Sequence, residues 1–286
     1  LDFIYENKEK IIRRMNTSLV KKWHRNPEII FYDVTNFFFE TSDPDEDILD
    51  EDGNVIERGF RKMGVSKENR KQPIVQMGLF MDDQGLPISI ESFSGNTLDA
   101  NTFKPAISRS IDGLDYARFI MIADRGMCNY QNIFHLLDQN NGYIIAKSLL
   151  KSTKSEQEWA YSDADFIEIS KDFKYKSRIV KRTVKDANGE KRTVTENVIV
   201  YWSRNFYERD LHENARFLDT LKKILKNPKG FRVTDMQARQ MRQFFRGEIL
   251  NSETGEVIEA SKLSALLDKK KLEEFKSHFG FYQIIT

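Results

Sequence analysis

The chain contains the stretch Phe119-Ile-Met-Ile-Ala-Asp124-Arg-Gly-Met127, an apolar run that ends in a single carboxylate. Such an uninterrupted run is typical of a strand buried on both faces, in a sheet that helices cover. A carboxylate at the carboxyl end of the strand faces the crevice in which open α/β sheets bind their ligands. Asp124 is therefore a candidate site residue.

A second β-prone stretch, Ile29-Ile-Phe-Tyr-Asp33-Val-Thr-Asn-Phe-Phe-Phe39, also contains one acidic residue. We expect Asp33 to be buried and to share a sheet with Asp124. Two buried carboxylates repel each other and are costly unless a cation neutralises them. Carboxylate oxygens suit Mg²⁺ or Mn²⁺, which keep both groups ionised and serve phosphodiester chemistry. The alternative is that each Asp is an ordinary hydrogen-bonded residue near a strand end.

The order of the predicted elements indicates the fold class. They are strand 29–39, hairpin strands 74–81 and 86–93, helix 99–109, strand 119–124, helix 129–140 and strand 143–146. Asp99 is the expected N-cap of the first of these helices. This is the order of a ribonuclease H-like core, an α/β fold with a mixed five-stranded sheet and helices on both faces.

The rest of the chain suggests a four-part organisation. We expect an N-terminal helix (1–27), the first part of the core (28–148), a β-rich and helical insertion (149–260) and a return to the core (261–286). Helices are predicted at 205–225 and 263–278 and a strand at 281–285, whereas 231–259 is ambiguous. The acidic run 43–52 is out of register for a calcium loop and reads as a polar insertion.

Composition limits the possible classes of protein. The 286 residues carry 45 basic and 44 acidic side chains, so net charge neither supports nor excludes a nucleic-acid partner. The single Cys128 excludes intrachain disulfides and multi-cysteine zinc sites, and it is compatible with a reducing cytoplasm. No apolar run reaches the roughly 18 residues of a membrane helix.

A basic hairpin surrounds the turn Ala187-Asn188-Gly189 and is a candidate DNA contact. Residues 171–192 contain nine Lys or Arg, and the candidate contacts among them are Lys174, Lys176, Arg178, Lys181, Arg182, Lys185, Lys191 and Arg192. They could neutralise DNA phosphates, or they could form a solvated hairpin with the acidic residues among them. Arg125, beside Asp124, is a candidate for a phosphate contact or a salt bridge, and Lys147 is a further candidate at a strand end.

Several segments together resemble the DDE transposases of bacterial insertion sequences, of the insertion-sequence-four type. They are Tyr32-Asp-Val-Thr35, Gly64-Val-Ser-Lys-Glu-Asn-Arg70, Gly78-Leu-Phe-Met-Asp-Asp-Gln-Gly-Leu-Pro-Ile88, Ser94-Gly-Asn-Thr-Leu-Asp99 and Ile122-Ala-Asp-Arg-Gly-Met127. The resemblance covers roughly residues 29–148. It implies that Asp33 and Asp124 are the first two catalytic, metal-binding carboxylates. It also implies Mg²⁺, replaceable by Mn²⁺, as cofactor and a dimer on double-stranded DNA as the working assembly.

The same resemblance implies a third carboxylate, a Glu on the helix after the fifth core strand. We assign that strand to 281–285, so the Glu is expected past Thr286 and the chain is expected to be an inactive fragment in the bacterial cytoplasm. Two rivals remain. One is a catalytically dead DNA-binding relic. The other is a metal-dependent phosphatase with Asp33 as nucleophile. That class needs a second Asp two residues later, and the presence of Thr35 at that position counts against it.

Overall fold

The computed structural model describes residues 2–25, 27–68, 70–111, 114, 116, 118–226, 241, 243–245 and 267–286. The chain forms two compact units. The first comprises Leu1–Ser148, Arg178–Val198 and Ile284–Thr286, and the second comprises Leu149–Ser177 and Ile199–Gln283. No helix among the described residues is long and apolar enough to cross a membrane.

The helices and strands follow the predicted order. They are α1 Asp2–Trp23, β1 Ile29–Phe38, β2 Ile48–Leu49, β3 Val55–Glu57, β4 Ile74–Asp82, β5 Pro87–Ser94, α2 Asp99–Ser110, β6 Ile120–Ala123, α3 Tyr130–Asp138, β7 Gly142–Lys147, α4 Lys154–Tyr161, β8 Ile167–Ser170, β9 Phe173–Lys185, β10 Lys191–Ser203, α5 Arg204–Lys226, α6 Lys269–Ser277 and β11 Phe281–Ile285. Most of the ambiguous segment 231–259 lies outside the described residues.

The first unit is built on a mixed sheet in which five strands have the order β5-β4-β1-β6-β7. Strand β1 pairs antiparallel with β4 and parallel with β6, and β6 pairs parallel with β7. The hairpin β4–β5 needs only a tight turn, whereas the parallel pairs are joined through helices α2 and α3. The predicted α/β fold class, with the mixed sheet and strand order of a ribonuclease H-like core, is confirmed.

The assignment of 281–285 as the fifth core strand is wrong. Strand β7 completes the five-stranded order, because the crossover through α3 returns the chain directly to the edge of β6. Beyond β7 the sheet of the first unit continues with Ile284 and Ile285 of β11, then with parts of β10 and β9. The main-chain groups of Thr286 and Asn197 exchange hydrogen bonds of 2.8 and 3.1 Å.

The core of the first unit lies on one face of this sheet. Side chains alternate along β1, so that Ile30, Tyr32 and Val34 are buried. The Tyr32 hydroxyl donates to Thr102 Oγ1 of α2 at 2.8 Å, and its ring packs edge-on against Phe103. Helix α2 therefore covers this face.

The opposite face of the sheet is open among the described residues, and helices were expected on both faces. Phe31, Ile90 and Ile120 are each more than one-third exposed there. Strands β5, β1 and β6 thus present apolar side chains to solvent in the described part of the chain. The expectation of a second helical layer is not met by these residues.

Helix α1 carries apolar residues such as Met15 and Trp23, but a polar residue makes its buried contact. Asn16 is its buried residue, whereas Met15 and Trp23 are exposed. Arg25 lies at the centre of the attachment. Its guanidinium donates to Asn16 Oδ1 at 2.8 Å and to Asp82 Oδ2 at 2.8 Å, and both charged side chains are at most 5% exposed.

We expect Arg25→Ala to lower the free energy of unfolding by about 3–5 kcal/mol, since it leaves the Asp82 charge buried without its partner. Urea unfolding followed by circular dichroism measures the loss. Arg14→Ala, at an exposed position of α1, serves as the control and should stay within about 0.5 kcal/mol of the parent. A loss at Arg25 no larger than the control's would show that the network does not hold α1 in place.

The second unit has its own apolar cluster. Leu149, Ala160 and Val200 are buried, and Trp159 and Phe281 pack against them. Helix α4 begins with a capping box, in which Thr153 and Glu156 each accept from the other's main-chain N–H. A second aromatic group, Phe217, Phe244 and Phe275, joins α5 to α6.

Candidate active site

The structure brings the two predicted carboxylates side by side. The parallel register of β1 and β6 pairs Tyr32 with Ala123, and Asp33 and Asp124 are the next residue on each strand. Neighbouring strands lie about 4.8 Å apart, so the two side chains leave the sheet from adjacent positions. The strand order that the sequence predicted is what creates this pair.

Burial of the pair was predicted and is wrong. Asp33 and Asp124 are both exposed, and the side chain of Asp33 is 69% accessible to solvent. The reason is the two-residue period of β1, which buries Tyr32 and Val34 and turns Asp33 to the open face. The cost of burial therefore does not demand a cation here. The pair is instead accessible to a large external substrate.

Each carboxylate is oriented by its own main chain. Asp124 caps the 3₁₀ turn Arg125–Met127, and its Oδ1 accepts from the Gly126 N–H at 3.2 Å. Asp33 Oδ1 accepts from the Val34 N–H at 2.8 Å. The Oδ2 atoms accept no hydrogen bond from any described residue, so lone pairs remain on both carboxylates for a ligand.

Another acidic residue near this pair, Asp99, was not predicted as part of the site. It was predicted as an N-cap, but Leu98 occupies that position and Asp99 is the first residue of α2 without a side-chain capping bond. Partial burial raises the pKa of Asp99, Lys67 acts against that rise, and the charges of Asp124 and Asp33 add to it. Its place within the segment Ser94–Asp99, which carries part of the family resemblance, was the available signal.

Lys67 supplies the positive charge at this group. Its ammonium donates a hydrogen bond to the Val34 carbonyl and lies 3.9 Å from Asp33 Oδ1. Within the described part of the chain, it is the one cation that forms an ion pair with any of the three carboxylates. Lys67 lies in the segment 64–70 that carries part of the family resemblance, but no role was predicted for it.

The carboxylate oxygens of Asp33 and Asp124 are suitable ligands for a hard divalent cation. Mg²⁺ is commonly bound through one or two protein carboxylates, with water and substrate phosphates as the remaining ligands. Asp33 and Asp124 offer two accessible carboxylates of this kind. No three Asp, Glu, His or Cys side chains among the described residues are close enough to hold a metal by themselves, so no residue is assigned to the third carboxylate.

The alternation of the basic hairpin divides the predicted DNA contacts into two groups. Lys181, Lys185 and Lys191 are exposed. The even-numbered members of β9 point to the other face of the hairpin and are half-buried or buried. Phosphate contacts are therefore available from three exposed lysines, which we call the lysine row.

Several other predicted DNA contacts are engaged within the protein. Lys176 is 1% exposed, and its ammonium donates to the carbonyls of Trp159, Ser162 and Ala164, so it is withdrawn from the DNA contacts. The remaining pairs are Lys174 with Asp163, Arg182 with Glu196, and Arg192 with Asp138. Only the pair Arg182–Glu196 joins two residues of the hairpin, as in the alternative with interspersed acids, whereas Asp163 and Asp138 lie outside it.

Arg178, Lys147 and Arg125 complete the predicted set. Arg178 is half-buried in β9. The Lys147 ammonium lies 5.9 Å from the centre of the Tyr130 ring, a cation–π contact at the end of β7. Arg125 is exposed beside Asp124 and forms no ion pair with a described residue. Arg125 is therefore available to a phosphate at the carboxylate pair.

Comparison with known proteins finds only distant structural likeness. No family model and no curated protein matches the chain. Among solved structures, a piggyBac transposase synaptic complex with hairpin DNA superposes with a TM-score of 0.33 and 8% identity, over 64% of this chain and 38% of that chain. Two Mos1 transposase structures, a paired-end complex with the left transposon end and a mariner paired-end complex with Mn, give TM-scores of 0.28 and 0.26. Each is 16% identical and covers 47% of this chain and 40% of that chain.

Proposed function

We propose that the chain is the catalytic core of a DDE transposase, which cleaves and rejoins DNA strands at the ends of an insertion sequence. The observation that carries the proposal is the placement of Asp33 and Asp124 at adjacent positions of the parallel strands β1 and β6. The sequence segments that resemble the insertion-sequence-four type surround both residues. The chemistry and the resemblance thus point to the same two side chains.

In this proposal the two carboxylates hold Mg²⁺, or Mn²⁺ in its place, through the oxygens that face solvent. The bound ions activate the attacking oxygen and stabilise the leaving oxygen of an in-line phosphoryl transfer. The protein orients each carboxylate through the N–H groups of Val34 and Gly126. Because the site is exposed, a duplex can approach it without a prior opening of the core.

The DNA partner is proposed from the distribution of charge. Arg125 lies beside Asp124 and is free of ion pairs with described residues, so it is suited to a phosphate next to the scissile one. The lysine row offers three more exposed ammonium groups. Phosphate contacts of this kind position a duplex without reading its sequence. A dimer on DNA, with each protomer at one transposon end, completes the proposal.

Anomalous diffraction from crystals soaked in Mn²⁺, together with nicking of supercoiled plasmid DNA in Mn²⁺, tests the proposal. A peak at about 2.0–2.3 Å from oxygens of both Asp33 and Asp124 is the expected result. The expectation of an inactive fragment depended on 281–285 being the fifth core strand, and that assignment is wrong, so nicking is also expected. The Asp33→Asn, Asp124→Asn double variant should lack it. Carboxyl groups separated by more than about 10 Å, without nicking, would contradict it, because they could not share the two ions. DNA binding without a peak or nicking would favour the relic.

A further inference from the structure

Lys67 is the residue at the carboxylate group whose role the proposed function leaves open. It lies in the segment between β3 and β4, and its side chain reaches the edge of β1. An ammonium has three donors. One is used on the Val34 carbonyl, and another is within ion-pair distance of Asp33 at 3.9 Å.

Negative charge exceeds positive charge around Lys67. Asp33, Asp99 and Asp124 carry three negative charges when ionised. Lys67 is the one cation that pairs with them among the described residues, and its charge also acts on Asp99. Its side chain is 48% exposed, so burial does not fix it there. The hydrogen bond to the Val34 carbonyl and the attraction to the carboxylates together hold the ammonium at this position.

A purely structural role would need different surroundings. A lysine that only anchors its loop needs an acceptor such as the Val34 carbonyl and gains little from an exposed carboxylate. Lys62, in the same segment, makes its polar contacts with the Asp45 carbonyl and the Asp47 carboxylate, neither of which belongs to the candidate site. Lys67 instead places its charge where the proposed divalent cation would bind.

We propose that Lys67 is the resident counter-ion of the carboxylate site and competes with the divalent cation for Asp33. The inference rests on the proposed function. In the protein without metal, the ammonium neutralises part of the acidic group and keeps Asp33 in place. A divalent cation that binds at Asp33 and Asp124 is repelled by this ammonium. Lys67 is thus a positioning residue that limits metal affinity.

The test is the Mn²⁺ dissociation constant of the full chain, measured by isothermal titration calorimetry. Lys67→Met is expected to bind Mn²⁺ about three- to tenfold more tightly, because a positive charge a few ångströms from the ion has been removed. Lys67→Arg, which keeps the charge, should stay near the parent value. Lys71→Met removes an exposed charge from the same segment and is the matched control.

Whether Lys67→Met strengthens or weakens Mn²⁺ binding distinguishes a counter-ion from a residue that only anchors its loop. If Lys67 only anchors its loop, Lys67→Met will leave Mn²⁺ affinity unchanged or weaken it, and the inference is overturned. If Lys71→Met tightens binding equally, the effect is general electrostatics and the inference is also overturned. If the parent chain binds no Mn²⁺, the metal site of the proposed function fails first and the inference falls with it. Thermal unfolding of each variant, run alongside, shows that the proteins compared are folded.

Discussion

Asp33→Asn and Asp124→Asn should each weaken Mn²⁺ binding at least about tenfold, and the double variant should show no saturable binding. Each substitution removes one negative charge and one ionised oxygen ligand, and Mn²⁺ prefers such hard donors. The side chains keep their size, and both positions are exposed, so the fold should be unaffected. Calorimetric titration with Mn²⁺ measures the loss.

The control is Asp83→Asn, an exposed acidic residue in the turn between β4 and β5. It changes the net charge by the same amount but lies outside the carboxylate group. Equal losses at positions 33, 83 and 124 would mean that Mn²⁺ responds only to total charge, and the two-carboxylate site would then be discarded. In the same assay Lys67→Met is expected to strengthen Mn²⁺ binding, whereas the Asp variants weaken it, and this contrast is an internal check.

The strand order and the pairing of Asp33 with Asp124 could be predicted because they follow from chain topology. Long apolar runs and a hairpin turn mark the strands, and parallel strands joined by helices become neighbours. Burial could not be predicted from the same pattern. The run Ile29–Phe39 is apolar on both sides of its alternation, and only the structure shows that the face with Phe31 and Asp33 is open.

The role of Asp99 shows a second limit. An Asp before a helical pattern predicts an N-cap, because such a side chain commonly accepts from the first free N–H groups. In the structure the helix begins one residue earlier than this assignment requires, and the Asp99 carboxylate makes no capping bond and is acted on by the charges of Asp124 and Asp33. A shift of one residue at a helix end is within the usual uncertainty of a boundary, yet here it separates a cap from a site residue.

The alternation of side chains along a β-strand also limited the prediction for the basic hairpin. Composition alone makes the eight predicted contacts equivalent, but strand geometry exposes only alternate residues. Lys176 and Lys181 therefore differ completely in surroundings, although both were predicted as phosphate contacts. A prediction that had applied the two-residue period to β9 would have separated them.

Replacing the lysine row, Lys181, Lys185 and Lys191, by Ala should lower affinity for a 30-base-pair duplex by about 100-fold at 0.15 M salt. Each phosphate contact contributes about 0.9 to the slope of log affinity against log salt, which is about fivefold at this concentration. The slope itself should fall by about 2.7 if all three lysines contact phosphates. Fluorescence anisotropy at several salt concentrations measures both quantities.

A charge-matched variant, Lys10, Lys21 and Lys22 of α1 to Ala, distinguishes contact from net charge. All three lysines are exposed, and they lie far in sequence from the hairpin. If both triple variants lose affinity equally, DNA responds to overall charge and the lysine row is not the contact surface. If only the hairpin variant loses affinity and slope, the DNA path runs over β9 and β10. Because the lysine row lies outside the carboxylate group, its variant should keep the parent's Mn²⁺ affinity, which would separate DNA positioning from the chemistry of cleavage.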